Sequence, residues 1–180
     1  MTLPQTRKQM QIRSMDKVSD YEAKTMFAWE NDPNYAALCT VIKGPDAPQR
    51  FKSWEELQKH INSSNATRFG IYESDEFVGE FNFVFDHPAL LKTQPKTAWL
   101  GIGIGSEKFR GKGYGTKAIE FLEIEVAKQG GKRIELGVFE FNHPAIKLYK
   151  KMNYLHFHIT PDFTYWQGKL WADLRFEKML

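Results

Sequence analysis

Long apolar runs, cysteine and blocks of like charge are all scarce in this chain of 180 residues, and each scarcity removes a class of function. No run of about eighteen apolar residues occurs, so no membrane-spanning helix is predicted. Met1 to Gln11 carries Arg7 and Lys8 without a following apolar stretch of signal-peptide length, which makes the cytoplasm the expected compartment. The lone Cys39 excludes an internal disulfide and a multi-cysteine metal site. Set in YAALCTVI with no glycine turn or histidine beside it, Cys39 reads as a buried structural thiol, not a nucleophile. The net charge of +3 is spread along the chain and the longest basic run is Lys150-Lys151, so neither a nucleic-acid arm nor a membrane anchor is expected. A small or peptide-like partner fits better.

What is present is a composition of 42% hydrophobic and 26% charged residues, enough for one globular domain over residues 1–180. Val18 to Trp29 and Trp54 to Ile61 carry apolar residues at helical spacing, and Ser53 with Glu56 reads as a capping box for the second. Phe69 to Tyr72 and Phe77 to Phe85 are strand-like and joined by the turn ESDE. In Thr97 to Ile104, Leu100, Ile102 and Ile104 share one parity and Trp99, Gly101 and Gly103 the other, a strand with one nearly bare face. Ala118, Ile119, Leu122 and Val126 form a helical stripe in line with Gly115, stopped by Gly130-Gly131. Arg133 to Phe139 alternates again, with Ile134, Leu136 and Val138 inward. Asn142 and Pro144 open a helix whose stripe is Ala145, Leu148, Tyr149 and Met152. Tyr154 to Phe163 and Leu170 to Lys178 form a closing hairpin around WQGK. The order β, αα, βββ, α, β, α, ββ predicts an α/β or α+β domain.

The segment FRGKGYGTKA, residues 109–118, places three glycines and basic side chains between a strand and a helix. Backbone amides converge at such a junction and the helix dipole adds positive potential, so a phosphate is the natural guest. A P-loop is excluded because five residues separate Gly105 from Gly111 and Lys112 precedes Gly113. A dinucleotide fingerprint counted from Gly111 and Gly113 would need glycine where Thr116 stands.

Arg110-Gly111-Lys112-Gly113-Tyr114-Gly115 resembles the Arg/Gln-x-x-Gly-x-Gly/Ala loop of the GNAT superfamily of acyl-CoA-dependent N-acetyltransferases. Asn142, Ala145 and Tyr149 match its second signature, with Asn153-Tyr154 replacing a Gly-Phe pair. The resemblance is strong from Thr97 to Tyr154 and is most similar to the branch of ribosomal-protein and spermidine acetyltransferases. It implies a mixed, mostly antiparallel central sheet with helices on both faces. It also implies acetyl-CoA as co-substrate, an amine acceptor and no metal; a homodimer is left open. By the same resemblance, the amides of Gly111 to Gly115 hold the pyrophosphate, with Arg110 and Lys112 adding charge and Tyr114, Thr116 and Asn142 beside the cofactor. The pantetheine arm pairs with strand backbone at Ile102, Gly103 and Ile104, its close approach allowed by the bare face of Gly101 and Gly103, and Tyr149 protonates the departing thiolate.

The general base is not marked. Some family members place a carboxylate at the position of Gly137, which this chain lacks; Glu135 and Glu80 are the candidates in its stead, each also readable as a paired structural carboxylate. His156 and His158 lie two apart on one strand, on one face, but no third ligand completes a metal site. The aromatics, 14% of the chain, are dispersed through strands and fit core packing better than base stacking. The reading is therefore a direct acetyl-transfer enzyme acting on a primary amine: a protein N-terminus, a polyamine or a small amine. A non-catalytic acyl-CoA sensor on the same fold is the rival, and an RNA-binding module a distant third.

Overall fold

The computed structural model describes residues 10–180. Its strands are β1 (Met10–Ser14), β2 (Thr67–Glu73), β3 (Glu76–Phe85), β4 (Thr97–Ile104), β5 (Arg133–Phe139), β6 (Leu155–Trp166) and β7 (Lys169–Met179). Its α-helices are α1 (Asp20–Glu30), α2 (Pro33–Cys39), α3 (Trp54–Asn62), α4 (Tyr114–Lys128) and α5 (His143–Lys151). The strands form one sheet in the order β1-β2-β3-β4-β5-β7-β6. Every neighbouring pair is antiparallel except β4 with β5. This is the mixed, mostly antiparallel architecture expected.

Alternation along the strands assigns the two faces. Phe81, Leu100, Ile134 and Leu136 pack under Ala118, Ile119 and Leu122 of α4 and Tyr149 of α5. On the opposite face, Tyr72 and Phe77 pack with Ala23 and Met26 of α1 and with Leu57 and Ile61 of α3. Helices thus cover both faces.

Local signals account for most boundaries. At α1 the Ser19 side chain caps Glu22 while Glu22 returns to the Ser19 amide, a complete capping box that begins the helix two residues after Val18. At α3 the box is only half closed: Ser53 caps Glu56, but the Glu56 carboxylate accepts from the amide of Lys52. Helix α2 was not expected from the sequence, although Asp32 accepts from Asn34 N at 2.9 Å and Pro33 occupies the first turn. At seven residues it is too short to show a periodic stripe. Asn153, in place of the family glycine, takes the left-handed conformation (φ 64°) that the chain needs after α5.

The histidine pair is the clearest departure. A register shift in β6 pairs His156 with Phe176 and His158 with Arg175. Phe176 and Arg175 point to opposite faces of β7, so the two imidazoles do as well. Among the described residues no cluster of three or more histidine, cysteine or acidic side chains could hold a metal ion. Among the described residues no helix is long and apolar enough to cross a membrane.

Candidate active site

The parallel pair β4 and β5 stays together for only three residues, Thr97, Ala98 and Trp99 opposite Arg133, Ile134 and Glu135. Beyond Trp99 the strands part, because β4 remains paired to β3 up to Ile104 while β5 follows β7. The parting opens a cleft of about 1660 Å³ that has Gly101 to Ile104 on one wall and Gly137 to Phe139 on the other. A cleft at the splayed ends of adjacent strands is where open α/β sheets receive ligands.

One end of the cleft is the glycine turn. Gly111 (φ 71°) and Gly113 (φ 86°) both adopt left-handed backbone, which a branched side chain would strain. Gly113 is the N-cap of α4 and its carbonyl accepts from Lys117 N at 3.2 Å. The preceding amides, Gly113 to Thr116, fall in the first turn, where an α-helix offers no internal acceptor. A β-carbon at either Gly111 or Gly113 would meet nothing within 4 Å, so the turn borders open space. Gly115 faces inward, where a β-carbon would stand 2.9 Å from Leu148 Cδ2; its bareness brings α4 and α5 together.

The side chains around this turn divide. Arg110 lines the cleft, but its Nε donates to Ile104 O at 3.1 Å and its Nη2 to Gly105 O at 3.3 Å, tying the turn to the end of β4. Lys112 is exposed and lies over the Phe109 ring. The Tyr114 ring is buried and its hydroxyl donates to Glu73, so only its backbone faces the turn. Thr116 and Asn142 border the cleft, and Asn142 caps α5 by accepting from Ala145 N at 3.3 Å.

Tyr149 is buried on α5 and reaches the cleft beside Val138. Burial raises its phenol above the ordinary value, and Cys39 adds to the rise. Cys39 corrects the sequence reading. It is exposed and opens into the cleft at the end of α2. Protein encloses it on its other sides, and that desolvation pushes the thiol up to about 12 against a hydrogen bond with Tyr35. Such a thiol stays protonated at neutral pH and is a poor nucleophile.

The bare face of β4 is also corrected. Its glycines do not leave open space, because side chains from the facing elements fill it. Asn82 Nδ2 would lie 3.0 Å from a β-carbon on Gly101, and the Tyr35 hydroxyl and the Trp29 ring overlap the places of β-carbons on Gly103 and Gly105. The space left for a ligand is the gap between β4 and β5.

Of the two carboxylates singled out in the sequence, only Glu80 lines the cleft. It pairs with Arg68 at 2.5 Å and accepts from Asn82 Nδ2 at 3.3 Å. Glu135 is completely buried, pairs with Arg133 at 2.5 Å, and accepts from the Leu91 amide at 2.9 Å. It lies where β4 and β5 are still paired, short of the cleft, with its oxygens engaged inside the sheet. Glu30 and Asp173 line the cleft without having been singled out, and burial raises both carboxyls. The alternation of Asp173, Arg175 and Glu177 along one face of a strand was the available signal, since acidic residues are depleted in strands.

Residues 23–154 match the model of the Acetyltransferase (GNAT) family. An uncharacterized N-acetyltransferase, YdgE, of Bacillus subtilis is 42% identical over 48 residues, covering 27% of this chain and 31% of the relative. The match therefore spans about a third of that curated protein's length. The structure of yncA from Salmonella typhimurium with its cofactor acetyl-CoA superposes with a TM-score of 0.74 at 14% identity, over 95% of this chain and 94% of that one. Spermidine N-acetyltransferase from Vibrio cholerae, solved with CoA and spermine, gives 0.73 at 17% identity, over 95% of each chain. At such identities the superpositions speak for the fold alone, whereas the family model covers well over half of the sequence: the chain belongs to the acetyltransferase (GNAT) family.

Proposed function

We propose that the protein is an N-acetyltransferase that moves the acetyl group of acetyl-CoA directly to a primary amine. The observation that carries this reading is the opening of the β4–β5 gap onto the Gly111–Thr116 turn, whose Gly113 to Thr116 amides have no acceptor within α4. A pyrophosphate suits those amides, which add hydrogen bonds to the positive end of the α4 dipole. The gap beside Ile102 and Ile104 accommodates a narrow, extended pantetheine arm. Arg110 shapes the turn through its bonds to the end of β4, and Lys112 contributes charge from solvent.

Bound acetyl-CoA would supply the activated acetyl thioester. Tyr149 holds a proton in a water-poor pocket, where a phenol is suited to stabilise and protonate a thiolate. The half of the cleft toward α1 and α3 receives the amine. Its carboxylates have arginine neighbours: Glu80 pairs with Arg68, Asp173 pairs with Arg175 and Glu30 feels Arg50. That balance favours a compact or peptide amine over an extended polycation. The branch resembled by residues 98–105, 109–115 and 137–142 includes ribosomal-protein as well as spermidine acetyltransferases, and the paired carboxylates favour the peptide acceptor of the two.

CoA release measured against a panel tests the reading: an alanine-starting peptide, spermidine, free amino acids and a small aromatic amine. Release with at least one amine, and a rise in melting temperature with acetyl-CoA alone, are expected. No release with any amine, together with an unmoved melting temperature, would overturn it. A sensor would show the second response without the first.

A further inference from the structure

We propose that Asp173 of β7 is the carboxylate that takes the proton from the attacking amine, reaching from the neighbouring strand into the place that Gly137 leaves without a side chain. The inference rests on the acetyl-transfer reading above and assigns a residue to a step that reading leaves open.

Register explains how β7 delivers this group. Asp173 pairs with Phe139 and Arg175 pairs with Gly137, so all four residues share one face. Diagonal neighbours on adjacent antiparallel strands lie within reach of each other's side chains. With only hydrogen at Gly137, the Asp173 carboxylate leans across: its Oδ1 lies 2.7 Å from where a Gly137 β-carbon would stand. Gly137, Asp173 and Arg175 all line the cleft, on the wall facing the end of β4.

The two carboxylate oxygens have different surroundings. Oδ2 accepts from Arg175 Nε at 2.5 Å, which fixes the group's orientation. Arg175 is itself held by Ala89 O at 2.8 Å, by Glu135 at 3.5 Å and by the face of the Trp99 ring. Oδ1 is the oxygen nearer the Gly137 position, 2.7 Å from a β-carbon there against 3.1 Å for Oδ2. The charged groups facing Asp173 are Arg175 on its own strand, Glu135 across on β5 and His158 on β6. Burial, the largest influence, raises its carboxyl and Arg175 opposes the rise. A carboxylate raised by desolvation is a better proton acceptor than one in water.

Placement separates this group from Tyr149. Asp173 lies on the face shared with Gly137, while Tyr149 packs with Val138 and Phe176 on the other. Proton removal and proton donation would then occur on opposite faces of the sheet, both at the β5 wall of the β4–β5 gap. In the step, the nitrogen lone pair forms the new C–N bond and the nitrogen's surplus proton passes to Asp173 Oδ1. The C–S electron pair leaves on sulfur, which takes the Tyr149 hydroxyl proton. Solvent then removes the proton from Asp173 and returns one to Tyr149.

The test uses Asp173→Asn, Gly137→Ala, and the exchange Asp173→Ala with Gly137→Asp, which offers the carboxylate from β5 instead. With the best amine of the panel, Asp173→Asn should lose about 10²- to 10⁴-fold in kcat and the acid limb of the pH profile, while acetyl-CoA still raises the melting temperature. The exchange should recover most of the loss. Gly137→Ala keeps the charge but displaces Oδ1, so kcat should fall without loss of the limb. In carbon-13 aspartate spectra of the wild type, the resonance absent from Asp173→Asn should titrate with the midpoint of that limb. A folded Asp173→Asn variant with kcat within threefold of wild type, or with the limb intact, overturns the inference and leaves the transferase reading standing. So does a folded exchange variant as inactive as Asp173→Asn. If Asp173→Asn does not fold, undiminished kcat in Gly137→Ala overturns it. A wild type that transfers to no amine overturns both readings at once.

Discussion

The hydroxyl of Tyr35 stands over the α-carbon of Gly103, in the place a β-carbon would take. Helix α2 thus packs onto β4 through a contact that only glycine permits. The same arrangement repeats on either side, with Asn82 over Gly101 and Trp29 over Gly105. The parity of these glycines sets how closely the amine-side helices approach the cleft.

Gly103→Ala should therefore destabilise the protein by about 1–3 kcal/mol, the usual cost of overpacking. Combined with Tyr35→Ala, it should cost less than the two single losses added together, because the added methyl then has room. Urea unfolding of the two single variants and the double variant measures this. Additive losses would mean that the two residues do not compete for one space.

Gly113→Val separates backbone conformation from packing. A β-carbon there meets nothing within 4 Å, so no clash with protein is expected, but φ of 86° is unfavourable for a branched residue. The variant should fold, lose about 1–2 kcal/mol, and bind acetyl-CoA at least tenfold more weakly. Isothermal titration and thermal unfolding report the two effects separately. Unchanged affinity would remove the turn from the cofactor site.

Tyr149→Phe tests proton donation. The ring remains in the core, so acetyl-CoA affinity should hold while single-turnover transfer falls by about 10²- to 10⁴-fold. Burial raises the phenol, so the folded protein holds this proton beyond the ordinary tyrosine range near pH 10. The wild type should accordingly show no loss of rate from this group below about pH 10. The same shift implies that stability falls as pH rises above about 10, where the unfolded chain ionises the phenol first. Tyr149→Phe should flatten that fall in urea titrations, and an unchanged slope would contradict the buried phenol.

Glu135→Ala distinguishes a structural anion from a base. Removing it leaves Arg133 completely buried, with Glu177 as its remaining carboxylate partner at 2.7 Å. Breaking a buried pair costs about 3–5 kcal/mol, so the melting temperature should drop steeply. The kcat of the remaining folded enzyme, measured well below that temperature, should fall far less than the about 10²- to 10⁴-fold of a lost base, because Arg175 keeps its bonds to Ala89 O and Asp173. A hundredfold loss of kcat at retained fold would return Glu135 to the chemistry.

Much of this fold is local and was legible without coordinates. The Leu100–Ile102–Ile104 alternation, the Ala118–Val126 stripe and the Asn142–Pro144 start each carry their own periodicity or cap, and the structure has a strand or helix at each. Helix α2 escaped because one capped turn of seven residues leaves no period to read. Other features depended on pairing between distant strands. The register shift in β6 sent His156 and His158 to opposite faces, and nothing near them in the sequence signals it. Whether the glycines of β4 were bare or filled depended on Tyr35 and Trp29, brought in by helices some seventy residues earlier in the chain.

The carboxylates show the same division. By itself the sequence determined that Gly137 carries no acid and offered Glu80 and Glu135 as candidates, with Asp173 not among them. Only the β5–β7 register decided that Asp173 leans into the space beside Gly137, and only the short β4–β5 pairing decided that Glu135 is sealed beneath it. The physical reason is that periodicity reports which face of a strand a side chain occupies, whereas strand register and splay decide what that face meets.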